Sequence, residues 1–424
     1  MSDSRKYLMP MIIVGLLFFI YGFFTWLNGT LIPYLKIACQ LESDFQSYLV
    51  ATAFFIAYTI MAIPSSFVLK KTGYKKGMGI GLIIMALGSL LFIPAANARN
   101  YSMFLFALFI IGTGLALLQT ASNPYISLIG PIESAAKRIS IMGIFNKVAG
   151  IIAGLIFGYI ALNDVDSLEA KLATLDIAAK ENMLGELASR VILPYGIMAV
   201  VLVSFAVFII LSALPELKED DETSSSGDAL GKTSVLQFTH LLLGAVAIFV
   251  YVGVEVIAGD TIINYGMSLN FELSQARFFT QITLFFMLVG YIVGIYTIPK
   301  YFSQSTALRA CAILGVVFSI GAVITNGFVS VLCIALLGLA NSLMWPAIFP
   351  LAIDGLGKFT KTASAILIMA LAGGAVFPLI YAKFSELVGT RVAYIMMVPS
   401  YLYILYFAVK GYRAGRRAVA AHSV

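Results

Sequence analysis

Residues 112–147 read GTGLALLQTASNPYISLIGPIESAAKRISIMGIFNK, and the fold turns on how this stretch is understood. Most of it is apolar enough to lie in lipid, yet its apolar segments carry three amides, Pro124 and Lys147. Gln119 and Asn123 are four residues apart, so on a helix they stack on one face, and Pro124 loosens the backbone just beyond them. A charged turn, Glu133 to Arg138, interrupts the apolar run. The next segment carries Asn146 and Lys147 about two turns in from that end. An unpaired charge at a bilayer centre costs about 3 kcal/mol or more, so the surrounding protein has to supply Lys147 with a partner or with water. The hairpin therefore reads as half of a polar pocket between membrane helices.

The whole chain supports that setting. It has 424 residues, 60% of them hydrophobic and only 11% charged, which excludes a soluble protein with a large core and indicates a polytopic membrane protein. The net charge of +6 comes from short basic clusters between apolar spans, which is topology rather than a nucleic-acid face. Cys39, Cys311 and Cys333 have no paired spacing, so neither a disulfide framework nor a metal site is expected. Met11 to Leu35 is uncharged, too long for a signal-peptide core, and is expected to remain as the first span.

Twelve spans follow from the uncharged runs: 11–35, 46–69, 77–98, 101–130, 139–162, 191–214, 238–265, 275–298, 309–325, 328–352, 362–385 and 392–410. The ninth and tenth form one run from Ala310 to Ile353, divided at Asn326-Gly327. The clusters Lys70-Lys71, Lys75-Lys76, Lys137-Arg138 and Arg416-Arg417 share the face of the N-terminus, which predicts both termini on the cytoplasmic side of the membrane. Residues 163–190 predict a short amphipathic helix, with Leu168, Leu172 and Leu175 at helical spacing. Residues 215–236 read as a flexible cytoplasmic linker between six-helix bundles at 1–214 and 237–424.

An internal repeat supports the division. Gly29-Thr30-Leu31-Ile32-Pro33-Tyr34 in the first span matches Asp260-Thr261-Ile262-Ile263-Asn264-Tyr265 in the seventh. Gln119 and Asn123 precede Pro124 as Asn341 and Trp345 precede Pro346. Two matching halves predict a transporter with its site at mid-membrane between them, working by rocking.

On these residues the chain resembles the major facilitator superfamily, in its fucose-proton symporter family and nearest the bacterial glucose/galactose branch. Leu27-Asn28-Gly29, Gln119-Thr120-Ala121-Ser122-Asn123-Pro124-Tyr125, Gly130-Pro131-Ile132-Glu133-Ser134 and Gly143-Ile144-Phe145-Asn146 carry the resemblance, which covers essentially the whole chain. Lys70-Lys71-Thr72-Gly73-Tyr74-Lys75-Lys76 resembles the basic loop after the second span but lacks its aspartate. The resemblance implies an all-α fold of twelve helices and import of a glucose- or galactose-like hexose. Fucose symporters have acids where this chain has Gly29 and Gln119, and a glutamine where it has Gly143. That departure favours sodium over a proton as coupling ion; a proton symporter and an exporter of the same fold are the alternatives.

A neutral sugar needs paired donors and acceptors with apolar faces for its ring. Gln119, Asn123, Asn146, Asn28 and Asn341 are the candidate amides, each of which could instead bond helix to helix. Trp345 is a candidate stacking residue, whereas Trp26 reads as packing in an aromatic-rich span. Lys147 reads equally as a cavity group and as a side chain snorkelling to the inner surface. Gly150, Gly154 and Gly158 read as close helix packing. Glu255 and Asp260 are the acids within an apolar span. With Thr261, and carbonyls freed if Gly259 unwinds, they are the candidate sodium ligands, and Glu255 could instead pair with Lys147. His240 and His422 accompany no nucleophile or metal motif, so neither an enzyme nor a cofactor is expected, and the protein is expected to act as a monomer.

Overall fold

The computed structural model describes residues 3–129, 135–162, 171–172, 174–212, 214 and 232–416. The first half comprises α1 (Asp3–Ala38), α2 (Asp44–Asn97), α3 (Tyr101–Leu128), α4 (Ala135–Leu162), α5 (Ile177–Ser189) and α6 (Ile192–Leu211). The second half begins with α7 (Thr239–Asp260), α8 (Ile262–Ser268), α9 (Leu273–Ala276) and α10 (Phe279–Thr297). It continues with α11 (Gln304–Ile324), α12 (Gly327–Ser342), α13 (Met344–Ile353), α14 (Thr360–Met369), α15 (Gly373–Val388), α16 (Thr390–Ala393) and α17 (Met397–Val409).

Among the described residues, eleven helical stretches are long and apolar enough to cross a membrane. One of them, α2, has 54 residues and is about 80 Å long, enough for two crossings. Its helical dihedrals break at Gly73, where φ is +76°, inside the basic stretch Lys70 to Lys76. The twelve expected spans are thus present, the second and third running on through one glycine. The long ninth and tenth run divides where expected, since Asn326 is extended and Gly327 has φ +56° at the start of α12. The tenth span then breaks once more, at Leu343. Pro346 has no N–H for the turn before it, so α12 stops and α13 starts at a slight angle of backbone.

Side chains close the helix starts. Ser43, Asn100 and Ser303 accept from Gln46, Met103 and Thr306 backbone N–H groups at the heads of α2, α3 and α11. A helix, α5, lies within the expected amphipathic stretch, capped by Asp176 after a bend at Leu175. Lys171 and Leu172 are helical as well, with Leu172 packed against the core, and Leu168 lies outside the described residues. On α5 the buried leucines are Leu184 and Leu187. The carbonyls of Leu187 and Ala188 receive the Tyr34 hydroxyl, at 2.8 and 3.1 Å. Most of the expected linker, 215–231, also lies outside the described residues; Ser234 to Gln237 form a capped turn leading into α7.

The two halves meet along α4 with α10 and along α2 with α14 and α15. The glycine face of α4 receives side chains from elsewhere. A Cβ on Gly150 would come within 2.7 Å of the Trp26 ring, and one on Gly154 within 1.7 Å of the Gln281 amide. At the end of α4 away from the termini, buried Arg277 donates to the carbonyls of Gly158 and Leu162, at 3.2 and 2.9 Å. Thr52 donates to the Ala375 carbonyl at 2.8 Å, a further tie between halves.

Candidate functional site

A cavity of about 90 Å³ lies between the halves, large enough for several waters. The first half contributes Tyr21 and Trp26 of α1, Tyr58 of α2, Gln119 and Asn123 of α3, and Gly143, Asn146 and Lys147 of α4. The second contributes Tyr251, Glu255 and Asp260 of α7, Tyr291 of α10 and Trp345 of α13.

Lys147 does not snorkel. Its ammonium lies 3.2 Å from a Glu255 carboxylate oxygen, joining α4 to α7 across the two halves. It also stands over the Trp26 ring, 4.0 Å from the centroid, where the ring's negative face adds to the attraction. The Trp26 indole N–H donates to Asn146 Oδ1 at 3.0 Å, which fixes the plane of the ring. Two glycines leave room for that ring, Gly150 from α4 and Gly259 from α7, where an added Cβ would lie 2.5 Å from Trp26 Cζ3. Trp26, which reads in the sequence as packing, thus also lines the cavity. One aromatic among many in an apolar span carries no distinguishing signal.

On α3, Gln119 Nε2 donates to the Tyr58 hydroxyl at 2.9 Å, and Asn123 Nδ2 donates to the Gln119 carbonyl at 3.0 Å. Tyr21 donates to Ser122 one residue away. The bare face of Gly143 accommodates the Tyr291 ring, since a Cβ there would lie 2.6 Å from it. The cavity wall thus alternates amides and tyrosine hydroxyls with flat aromatic faces, a surface suited to a small polyol with an apolar ring face.

Three candidates stand apart from the cavity. Asn28 is fully buried with neither amide atom hydrogen-bonded. Asn341 accepts from the Tyr401 hydroxyl at 3.0 Å, facing α17 rather than the cavity, so its repeat relationship to Gln119 did not carry over into position. Thr261 donates to the Ile257 carbonyl at 2.7 Å and meets the Tyr394 hydroxyl at 2.8 Å.

The expected sodium ligands accordingly do not come together. Glu255 is held by Lys147, and Thr261 is turned away. Gly259 stays helical, its carbonyl accepting from Thr280 Oγ1 at 2.7 Å. Asp260 does line the cavity. It is the last residue of α7, only 2% exposed, and among the described residues its carboxylate has neither a hydrogen-bond nor an ion-pair partner. It is not at a water boundary.

The Major Facilitator Superfamily model matches residues 14–378. The chain belongs to that superfamily. Within the superfamily it falls in the fucose-proton symporter-like family. It is 34% identical to the glucose/galactose transporter of Brucella abortus, over 97% of this chain and 96% of that one. It is 28% identical to the L-fucose-proton symporter of Escherichia coli, over 97% and 95%. The solved structure of FucP, a superfamily transporter in the outward conformation, superposes with a TM-score of 0.77 at 28% identity. That match covers 97% of this chain and 100% of the solved one.

Proposed function

We propose that this protein imports a hexose of the glucose or galactose kind together with a proton, by alternating access of the cavity to the two faces of a bacterial inner membrane. The observation that carries the reading is the cavity itself. Amides of the first half and tyrosine hydroxyls and tryptophan faces of both halves converge there, beside a buried carboxylate with no partner among the described residues. A neutral hexose fits the first set of groups, and a titrating cation fits the second. The family relatives named for glucose and galactose support the substrate class, and the relative named a proton symporter supports the cation.

A proton is favoured over sodium by the surroundings of Asp260. A hard metal cation needs several oxygen ligands at once, whereas the Thr261 hydroxyl is engaged with Ile257 of its own helix and with Tyr394, and the Gly259 carbonyl accepts from Thr280 of α10. A proton needs only the carboxylate. A charge buried without a partner is costly, so the empty carrier gains by taking up the proton before it closes around sugar. Gln119, Asn123, Asn146 and Lys147 hold the sugar side of the cavity in this reading, with Trp26 and Trp345 against the ring. Both termini are cytoplasmic by the basic clusters on their face, and one chain supplies the whole cavity, so a monomer suffices.

Uptake of labelled glucose and galactose into proteoliposomes, with proton and sodium gradients imposed separately, tests this. The expected result is concentration of sugar by the proton gradient in sodium-free medium. Concentration by sodium alone would transfer coupling to sodium, and accumulation under neither gradient would end the symport reading.

A further inference from the structure

Gly29 and Asp260 occupy matched positions in the two halves, at the head of the repeated sequence. They also touch. A Cβ built on Gly29 would lie 3.4 Å from Asp260 Oδ1 and 3.1 Å from Thr280 Oγ1. Positions related by a pseudo-two-fold axis can be in contact only if both lie against that axis. Asp260 therefore stands on the axis between the halves, and the bare backbone of Gly29 is the other half of the same place. The repeat is unequal here: one half supplies a carboxylate and the other supplies the space it fills.

We propose that the coupling site is a single position on this axis, served by one carboxylate that either half can provide, with residue 29 as its vacant host. This rests on the reading of Asp260 as the proton carrier. Gly29 is then the positioning residue of the site, because any side chain there competes with the carboxylate and with the Thr280 hydroxyl that holds the end of α7 through Gly259. The requirement is for one acid at one point in space, whichever helix carries it. A Cβ at residue 29 lies 3.4 Å from the Asp260 oxygen, so an aspartate there has the volume emptied by truncation at 260 within reach of its own carboxylate.

The experiment moves the acid. Proton-driven accumulation of labelled hexose is measured in proteoliposomes for Asp260→Ala, for Gly29→Asp with Asp260→Ala, and for Gly29→Asn with Asp260→Ala, each checked for folding by thermal unfolding. Asp260→Ala is expected to reduce the accumulation ratio to about one. The relocated aspartate is expected to restore concentration, to about tenfold under a gradient worth about 1.4 kcal/mol, and the asparagine to restore none. Should Asp260→Ala alone still concentrate sugar, the assignment of coupling to Asp260 fails. Should it lose concentration while the folded relocated variant does not regain it, the shared position fails and the assignment stands. If the relocated variant does not fold, Thr280→Ser removes the methyl group 3.3 Å from the new Cβ. Failure of that triple variant to fold or to concentrate sugar also overturns the proposal, since the space would then not accept an acid.

Discussion

Lys147 and Glu255 are 108 residues apart in the chain and 3.2 Å apart in the fold, with 6% and 12% of their side chains exposed. Removing one partner leaves the other charge buried, which costs roughly 3 to 5 kcal/mol, while replacing both by apolar groups is near neutral. Lys147→Met is therefore expected to lower the thermal unfolding temperature clearly, and Lys147→Met with Glu255→Leu to recover most of it. A double variant no more stable than the single one would mean that the pair carries no such strain. The amides make a separate prediction. Gln119→Ala and Asn146→Ala should each weaken hexose binding by roughly 1 to 3 kcal/mol in calorimetry, since sugar hydroxyls lose partners inside a closed cavity. Unchanged affinity in both returns them to bonding Tyr58 and Trp26 alone. That Lys147 needs a partner was legible in the sequence, because a lone cation in an apolar span has to be answered. Glu255 was legible as one of two candidate roles, partner of Lys147 or cation ligand, but the choice was not, because Glu255 comes to Lys147 only when two bundles dock. Asn341 errs the other way: its spacing to Pro346 repeats that of Gln119 to Pro124, but the break at Leu343 and the Tyr401 hydroxyl turn it to another helix.

Helices were read correctly wherever charge or a special glycine bounded an apolar run, as at Gly73 and Gly327, since lipid obliges each crossing to satisfy its own backbone. The α5 helix lies inside the stretch read as amphipathic, but its start was not legible from the leucine spacing, because it is set by Asp176, whose carboxylate accepts from the Ala179 N–H at 2.7 Å. The glycines of α4 were legible as close packing, but not their guests. Gly150 and Gly259 clasp one indole from opposite halves, so a methyl group on either has to displace it. Gly259→Ala is expected to cost about 1 to 3 kcal/mol by overpacking and to shift the emission of Trp26, read in a Trp345→Phe background where it is the remaining tryptophan. Native emission together with native stability would show that α1 and α7 are not in close register at this point.

At the scale of the molecule, Arg277 ties the second half to the last carbonyls of α4, where the helix dipole also favours a cation. Opening that face requires both bonds to break. Arg277→Ala is expected to speed labelling by an impermeant maleimide of a cysteine introduced at residue 264, in a protein otherwise free of cysteine; an unchanged rate would locate the closure elsewhere. The twelve-helix plan was legible because composition, basic clusters and the repeat all agree, but the relation of the two halves was not, since it arises from contacts between residues hundreds apart. The pairing of Lys147 with Glu255 has an electrical consequence. Those two charges cancel, so under the proposed proton coupling the charge of the central site is that of Asp260: zero when a proton rides with the sugar, minus one when the carrier returns empty. A membrane potential acts on moved charge with about 2.3 kcal/mol per elementary charge per 100 mV. An inside-negative potential then drives the empty carrier outward and leaves the loaded one alone. Net uptake should quicken with that potential, while exchange of labelled for unlabelled sugar, which omits the empty return, should be indifferent to it. Voltage-sensitive exchange would require a further moving charge. The cell's voltage is thus felt in the half of the cycle that carries no sugar.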